Sequence, residues 1–213
     1  MERQNGRKIL LGLSAAGLLA LLYACGEVGG SGQCGGVAGT GACVRIEDIQ
    51  PSYLDQQPVS NVDAVQDICI NDPTDPSDDE PEPFTDHDAI VTISNSPLPG
   101  ATDVTTDPIV TLQDYSISYT LNYCPFGATC PLLDPLPVAP GQTTTIGPNS
   151  SRGIPYPFAQ LSKKFEYVGK GGSIFAFPSY TAHYTITGTT TFNEKISLQG
   201  FAEFTIGDYN NCP

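Results

Sequence analysis

Residues 115–123 have the sequence Tyr-Ser-Ile-Ser-Tyr-Thr-Leu-Asn-Tyr, in which every second side chain is apolar or aromatic. A period of two is typical of a β-strand that buries one face and exposes the other. Residues 180–192 (Tyr-Thr-Ala-His-Tyr-Thr-Ile-Thr-Gly-Thr-Thr-Thr-Phe) alternate in the same way, and so do residues 196–206. Asn193 and Glu194 lie between the last two segments, so a β-hairpin is predicted there. These three segments together predict an all-β chain.

Shorter apolar segments extend this pattern to the rest of the chain. Further strands are predicted at residues 44–49, 62–70, 89–93, 143–146, 163–168 and 173–177. No segment of the sequence places apolar residues at helical spacing over three turns, and the 22 Gly and 19 Pro favour turns over long helices. Strands about 8–15 residues apart, separated by Pro- and Gly-rich turns, predict an antiparallel β-sandwich of about seven to nine strands.

The sandwich domain is predicted to span residues 44–213 and to contain two long loops. Residues 71–88 include eight carboxylates and four prolines, which predicts a solvated loop between strands. Residues 131–157 are rich in Pro and Gly and are predicted to be irregular. Residues 25–43 are predicted to be a flexible linker, because 8 of the 17 residues in the range 26–42 are Gly.

Residues 1–24 have the parts of a secretion signal in the expected order. Three basic residues precede an apolar stretch of 16 residues, which is shorter than the roughly 20 that a membrane-spanning helix needs. The stretch ends in Leu22-Tyr23-Ala24-Cys25. In this segment the chain resembles bacterial lipoprotein precursors, whose processing box has Leu at −3, a small residue at −1 and Cys at +1. The alternative is a plain secretion signal cut near Ala24.

The resemblance implies a lipid anchor on Cys25. Lipoprotein precursors receive diacylglycerol on this thiol, are cleaved before it and are then acylated on the new amine. Gly26 after the cysteine implies the outer membrane of a bacterium with two membranes. Loss of residues 1–24 changes the formal net charge from −14 to −16. Anionic headgroups repel such a chain, so the acyl chains would have to hold it at the membrane.

Six cysteines remain beyond the one in the processing box, and an even number in an exported protein favours disulfides. Short spacings favour two pairs and leave a third: Cys124 with Cys130, Cys34 with Cys43, and Cys69 with Cys212. Metal ligation is the alternative for these cysteines. The sequence has no Cys-x-x-Cys motif and only two histidines, which makes a zinc site a poor match.

No catalytic motif stands out in the sequence. The two histidines, His87 and His183, lie in the acidic run and on the polar face of a predicted strand, and no Gly-x-Ser-x-Gly is present. We therefore predict a protein that is not an enzyme and that binds no cofactor. Basic residues are too few and scattered for nucleic-acid binding. The tyrosines on the alternating faces are predicted to belong to the core rather than to a sugar or peptide platform: Tyr115, Tyr119, Tyr123, Tyr180 and Tyr184.

The acidic run also gives weak candidates for calcium ligands, namely Asp72, Asp75, Asp78 and Asp79. Calcium prefers carboxylate oxygens, but the run lacks the order of an EF-hand loop and contains prolines. We predict a lipid-anchored cell-envelope protein of binding or structural type, which resembles immunoglobulin-like envelope lipoproteins at the level of fold. A protein partner is predicted at a sheet edge. The alternatives are a calcium- or glycan-binding surface module and, last, a hydrolase.

Overall fold

The computed structural model describes residues 42–54, 58–70, 73–74, 77, 79–97 and 108–212. These residues form ten β-strands and one helix of nine residues, α1 (Leu161–Gly169). The strands are β1 (Ala42–Ser52), β2 (Asn61–Asp63), β3 (Ile68–Cys69), β4 (Glu80–Pro81), β5 (His87–Pro97), β6 (Val110–Tyr123), β7 (Leu136–Ile146), β8 (Ser150–Ala159), β9 (Ser179–Thr190) and β10 (Lys195–Gly207). No helix within these described ranges is long and apolar enough to span a membrane.

Eight of the strands form two sheets. The smaller sheet is antiparallel, with the order β1-β5-β8. The larger sheet has the order β2-β10-β9-β6-β7, and its neighbours are antiparallel except for β2 and β10, which run parallel. β3 and β4 pair separately as a short ladder. The prediction of an all-β sandwich is confirmed, as is the hairpin between β9 and β10.

The core lies between the inner faces of the two sheets. Phe158 of β8 packs edge-to-face against Phe204 of β10, with ring centroids 5.1 Å apart, and Tyr115 of β6 contacts Tyr156 of β8 at 5.2 Å. The buried apolar residues of β9 and β10 follow the predicted alternation: Tyr180, Ala182, Tyr184, Ile186, Ile196, Leu198, Ala202, Phe204 and Ile206. Burial of these faces stabilises the fold by about 25 cal/mol per Å² of apolar surface.

Buried tyrosines belong to this core, and their hydroxyl groups find acceptors on the opposite sheet. Tyr119 donates to the carbonyl of Phe158 at 2.7 Å, and Tyr184 donates to the carbonyl of Pro157 at 2.9 Å. A buried hydroxyl without a partner would be costly, so these bonds also fix how the sheets are placed. The predicted core role is wrong for Tyr123, which is 62% exposed at the end of β6.

The prediction of an irregular loop at residues 131–157 is wrong. This segment contains β7 and most of β8. Both are edge strands that pair on one side only. Proline lacks an N–H donor and is therefore tolerated where a strand has no second neighbour. Pro137 and Pro140 in β7, and Pro155 and Pro157 in β8, occupy such edges.

Two further strand predictions are also wrong. Residues 163–168 belong to α1, and residues 173–177 form a turn. The buried side chains of α1 are those of Lys163, Lys164 and Tyr167, which recur at helical spacing. Two of the three are lysines, so the apolar pattern that marks a buried helix face is missing from the sequence.

The region from residue 62 to residue 88 differs from its prediction as well. Residues 62–70 form two short strands, β2 and β3, instead of one. The acidic segment 71–88, predicted to be a solvated loop, contains β4 and the start of β5, and its residues Glu82 and His87 are buried. Backbone N–H groups bind the Glu82 carboxylate, and the Tyr53 ring covers His87, so both residues are drawn into the fold.

The sandwich has two ends of different character. The hairpin end contains Ala42, which pairs with Pro97, and the β9–β10 turn. The loop end comprises the described residues of the segments 53–60, 64–86, 124–135, 160–178 and 208–212. β6 runs from one end to the other with 14 residues, a length of about 45 Å at 3.3 Å per residue. The chain therefore enters the domain at the hairpin end, opposite the loop end.

Candidate functional site

The loop end has a cleft between two loops, residues 124–130 and residues 171–176. The first loop is closed by a disulfide between Cys124 and Cys130, as the spacing predicted. The second loop follows α1. The cleft between them has a volume of about 510 Å³, and its lining contains no charged side chain: Pro125, Phe126, Gly127, Ala128, Gly171, Gly172, Ser173, Ile174, Phe175 and Ala176.

Direct hydrogen bonds hold the two loops together. The Ser173 amide donates to the Thr129 carbonyl at 2.9 Å, and the Thr129 amide donates to Ser173 Oγ at 2.8 Å. The Tyr167 hydroxyl of α1 donates to the Ser173 carbonyl at 2.8 Å. Gly172 lies so close to the Tyr167 ring that a Cβ atom there would be 2.5 Å from it. The walls of the cleft are thus fixed by a disulfide, a reciprocal hydrogen-bond pair and close packing.

Two phenylalanines project from these fixed walls into solvent. Phe126 is fully exposed, and Phe175 is 76% exposed. Full burial of a phenylalanine side chain contributes about 1.5–3 kcal/mol, so each ring is a strong potential contact for a partner. Exposed aromatic rings beside a preformed concave surface are typical of a binding site.

The surroundings of the cleft are acidic. The described loop-end segments hold eight carboxylates and three lysines, Lys163, Lys164 and Lys170. The lysines are already engaged by the chain itself: Lys163 and Lys170 pair with Glu166 at 2.6 and 2.7 Å, and Lys164 is buried. Glu166 accepts from both lysines, so the pKa of its carboxyl is held low, at about 2, even though burial opposes this. The remaining carboxylates give the loop end a net negative charge.

Asp208 brings this charge to the edge of the cleft. Its amide donates to the carbonyl of Ile174, a lining residue, at 2.9 Å. Burial, and then the neighbouring carboxylates of Asp67 and Glu82, raise the pKa of the Asp208 carboxyl above its usual value. The carboxylates of Asp67 and Glu82 are therefore near enough to Asp208 for their negative charges to act on it.

A pair of buried carboxylates holds the C-terminal segment below this surface. Asp63 accepts from the amide of Tyr209 at 3.2 Å and from Asn211 Nδ2 at 3.2 Å, while Glu82 accepts from the amide of Asn211. Burial is the main cause that raises the pKa of Asp63 to about 6, and the charge of Glu82 adds to it. The predicted disulfide between Cys69 and Cys212 is confirmed and closes the same segment.

His87 and Lys164 lie next to this pair and are fully buried. The His87 ring stacks on Tyr53 with centroids 3.9 Å apart, and Lys164 Nζ donates to the Thr85 carbonyl at 2.7 Å and lies 4.2 Å from the Phe84 ring centroid. Burial, with the Lys164 charge second, lowers the pKa of His87 to about 3, and burial lowers the pKa of Lys164 to about 8. No substrate can reach groups that are fully enclosed, so this cluster serves the fold.

The other predicted site residues have varied outcomes. Cys43 is disulfide-bonded, whereas Cys34 and the predicted lipidation site Cys25 lie outside the described residues. Asp72, Asp75 and Asp78 also lie outside them, and Asp79 is half-buried. Within the part of the chain that the structure describes, no group of three or more His, Cys, Asp and Glu residues could hold a metal ion.

His183 lies away from the cleft, on the outer face of the larger sheet. Its Nε2 atom is 2.9 Å from Thr120 Oγ1. Phe126 and Phe175 were missed as site residues, because phenylalanine in a sequence normally indicates core. The sequence Pro-Phe-Gly within the predicted Cys124–Cys130 loop could have indicated that Phe126 is exposed, since a loop of seven residues cannot bury an aromatic ring within itself.

Comparisons with known proteins give no information about this site. No protein-family model, no curated protein and no solved structure matches this chain.

Proposed function

We propose that this chain is a lipid-anchored protein of the bacterial cell envelope that displays a protein-binding surface at its loop end. The lipid on Cys25 would hold it at the membrane, with the outer membrane as the expected location. The loop-end cleft with Phe126 and Phe175 would contact the partner. The protein would act by binding and would catalyse no reaction.

The carrying observation is that the chain enters the sandwich at the end opposite the cleft. Ala42 lies at the hairpin end, about 45 Å of strand away from the loop end. Cys25 precedes Ala42 by 17 residues, and a Gly-rich linker of that length has a root-mean-square reach of about 20–25 Å. An anchor on Cys25 would thus keep the hairpin end near the membrane and direct the loop end away from it.

The disulfides support an extracytoplasmic location. Cys69–Cys212 and Cys124–Cys130 are both formed, and disulfides persist in the periplasm and at cell surfaces but are rare in the cytosol. This agrees with the expectation from residues 1–24 of an exported chain.

The chemistry of the cleft supports binding over catalysis. No titratable side chain lines it. General acid–base and nucleophilic catalysis both need such a group within hydrogen-bond reach of the substrate. Asp63, His87 and Lys164, whose pKa values are strongly shifted, are buried below the surface instead.

The loop end is better suited to a partner than the sheet edges, where a partner was first predicted. The edge strands β7 and β8 contain prolines, and β2 has three residues. The fourth edge, β1, has a register irregularity between Ile46 and Asp48 and exposes Arg45 and Glu47. Prolines, bulges and charges are the features by which proteins prevent strand addition at an edge.

Photo-crosslinking in intact cells tests this proposal. Benzoylphenylalanine would replace Phe126 at the loop end or, as the matched control, Phe192, which is also exposed but lies in the hairpin-end turn. We expect a discrete protein adduct from position 126 and none from position 192. Cys25→Ala should accumulate as unprocessed precursor and lose the adduct. Equal adducts from both positions, or a Cys25→Ala chain that is still cleaved and still partitions into detergent, would contradict the proposal.

A further inference from the structure

We infer that the loop-end cleft takes a basic polypeptide segment, in which a large apolar side chain is flanked by lysine or arginine. This inference deepens the proposed function, because it rests on the loop end as the binding surface and adds the chemistry of the partner. It follows from the uncharged cleft and the acidic surface around it.

The cleft itself selects for an apolar group. Its volume of about 510 Å³ is within the usual range for ligand sites, and Phe126 and Phe175 form exposed aromatic walls. An aromatic or branched aliphatic side chain placed against these rings would remove apolar surface of both partners from water. The walls are preformed, so little ordering of the protein would oppose binding.

The charge around the cleft selects for cations beside that apolar group. Asp208 is bonded through its amide to the lining residue Ile174, and the carboxylate of Asp67 is close enough to raise the pKa of Asp208. Lys163 and Lys170 balance the charges of Glu166 and Asp134, so the net negative charge of the loop end comes from its other carboxylates. Complementary charge would speed association and exclude acidic partners.

Other occupants fit the same observations less well. A second copy of the chain would bring two acidic loop ends together, and like charges at an interface are repulsive. An anionic membrane surface would be repelled for the same reason. In the proposed orientation the cleft also faces away from the membrane that holds the anchor.

Selection from a phage-displayed library of random twelve-residue peptides tests the inference. The bait is the predicted mature chain, residues 25–213 with Cys25→Ser, exported behind a cleavable secretion signal that lacks the processing box and then oxidised, so that neither lipid nor detergent competes for the cleft. We expect enriched peptides with an aromatic or large aliphatic residue flanked by at least two Lys or Arg. The paired substitution Phe126→Ser and Phe175→Ser should weaken these peptides about tenfold or more, whereas Phe192→Ser should leave their affinity unchanged.

The same peptides also test the contribution of the acidic residues to binding. Asp67→Asn with Asp208→Asn should weaken the enriched peptides about threefold and reduce the dependence of affinity on salt. The inference would be overturned if no peptides were enriched or if the enriched peptides lacked basic residues. It would also be overturned if the Phe126 and Phe175 substitutions left peptide affinity unchanged. Phe126-dependent flotation with phosphatidylglycerol vesicles would assign the cleft to a membrane and overturn it too.

The two tests separate the inference from the proposed function. If position 126 gives a crosslinked protein adduct but no basic peptides are enriched, the loop end is a binding surface and the inference about the partner's chemistry is wrong. If position 126 gives no adduct but basic peptides bind in a Phe126-dependent way, the inference about the cleft holds and the proposed role at the envelope is wrong.

Discussion

His87 is the residue whose protonation the fold opposes most strongly. It is fully buried, neither ring nitrogen has a hydrogen-bond partner among the described residues, and the Lys164 ammonium is close enough to disfavour a second positive charge. The pKa of His87 is lowered from 6.5 to about 3. Between these values the unfolded chain binds a proton that the folded chain does not bind, so stability falls as pH falls.

His87→Phe should therefore make the protein less sensitive to mild acid. Phenylalanine keeps the stacking on Tyr53 and removes the titrating group. The wild-type protein should lose about 2 kcal/mol of stability through His87 between pH 7.5 and pH 5, and the variant should not. Urea unfolding of both proteins at the two pH values measures this as a change in their stability difference.

The difference between the two proteins is the quantity to measure, because Asp63 acts in the opposite direction. The pKa of Asp63 is raised from 3.8 to about 6, so its contribution to stability decreases as pH rises through this range. Asp63 is present in both proteins and largely cancels in the comparison. A stability difference that stays constant from pH 7.5 to pH 5 would show that His87 titrates normally and is not enclosed as described.

At the scale of elements, Gly188 determines how closely β9 can approach β6. It pairs with Leu112, where the register of β6 shifts before Asp114. A Cβ atom on Gly188 would lie 2.3 Å from the backbone carbonyl oxygen of Thr111. Backbone atoms cannot move aside as the end of a side chain can, so a substitution here would separate two central strands.

Gly188→Ala should destabilise the domain by about 2–3 kcal/mol. Gly169→Ala is the matched control, because a Cβ atom there would have nothing within 4 Å, and it should change stability by less than about 1 kcal/mol. Chemical denaturation midpoints measure both effects. Gly188→Ala with wild-type stability would mean that β6 and β9 are farther apart than this pairing allows.

The elements also show what sequence patterns can and cannot predict. β6, β9 and β10 were predictable because each buries one face, and a strand of this kind has an apolar residue at every second position of its sequence. Only residues 143–146 of β7 were predicted, and β8 was not, since prolines normally indicate loops and only the complete sheet shows that these strands lie at edges. α1 was missed because two of its three buried residues are lysines whose partners are distant in sequence.

The candidate site was predictable only in part, for a related reason. The spacing of Cys124 and Cys130 predicted their closed loop, and the elimination of other pairs predicted Cys69 with Cys212. The second wall of the cleft, which carries Phe175, was predicted to be a strand. The two loops form a cleft because both connections lie at the same end of the sandwich. Local sequence patterns do not show at which end a connection lies.

At the scale of the whole molecule, the two disulfides lie at the same end but have different roles. Cys69–Cys212 joins residues 143 positions apart, whereas Cys124–Cys130 joins residues 6 positions apart. In the chain-entropy model a crosslink stabilises by restricting the unfolded chain, by at most about 5 kcal/mol for the long loop and about 2.4 kcal/mol for the short one. Measured values are usually smaller, because the unfolded chain retains structure.

Paired serine substitutions should consequently separate stability from binding. Replacing Cys69 and Cys212 should cost about 2–4 kcal/mol but leave the cleft walls joined by the bonds between Thr129 and Ser173. Replacing Cys124 and Cys130 should cost less stability, but it should release the loop that presents Phe126, so a crosslink from position 126 should weaken or disappear. Thermal unfolding and crosslinking of both variants measure the two properties. Equal losses of stability would contradict the ranking by loop length, and an undiminished crosslink without Cys124–Cys130 would show that this disulfide does not organise the cleft.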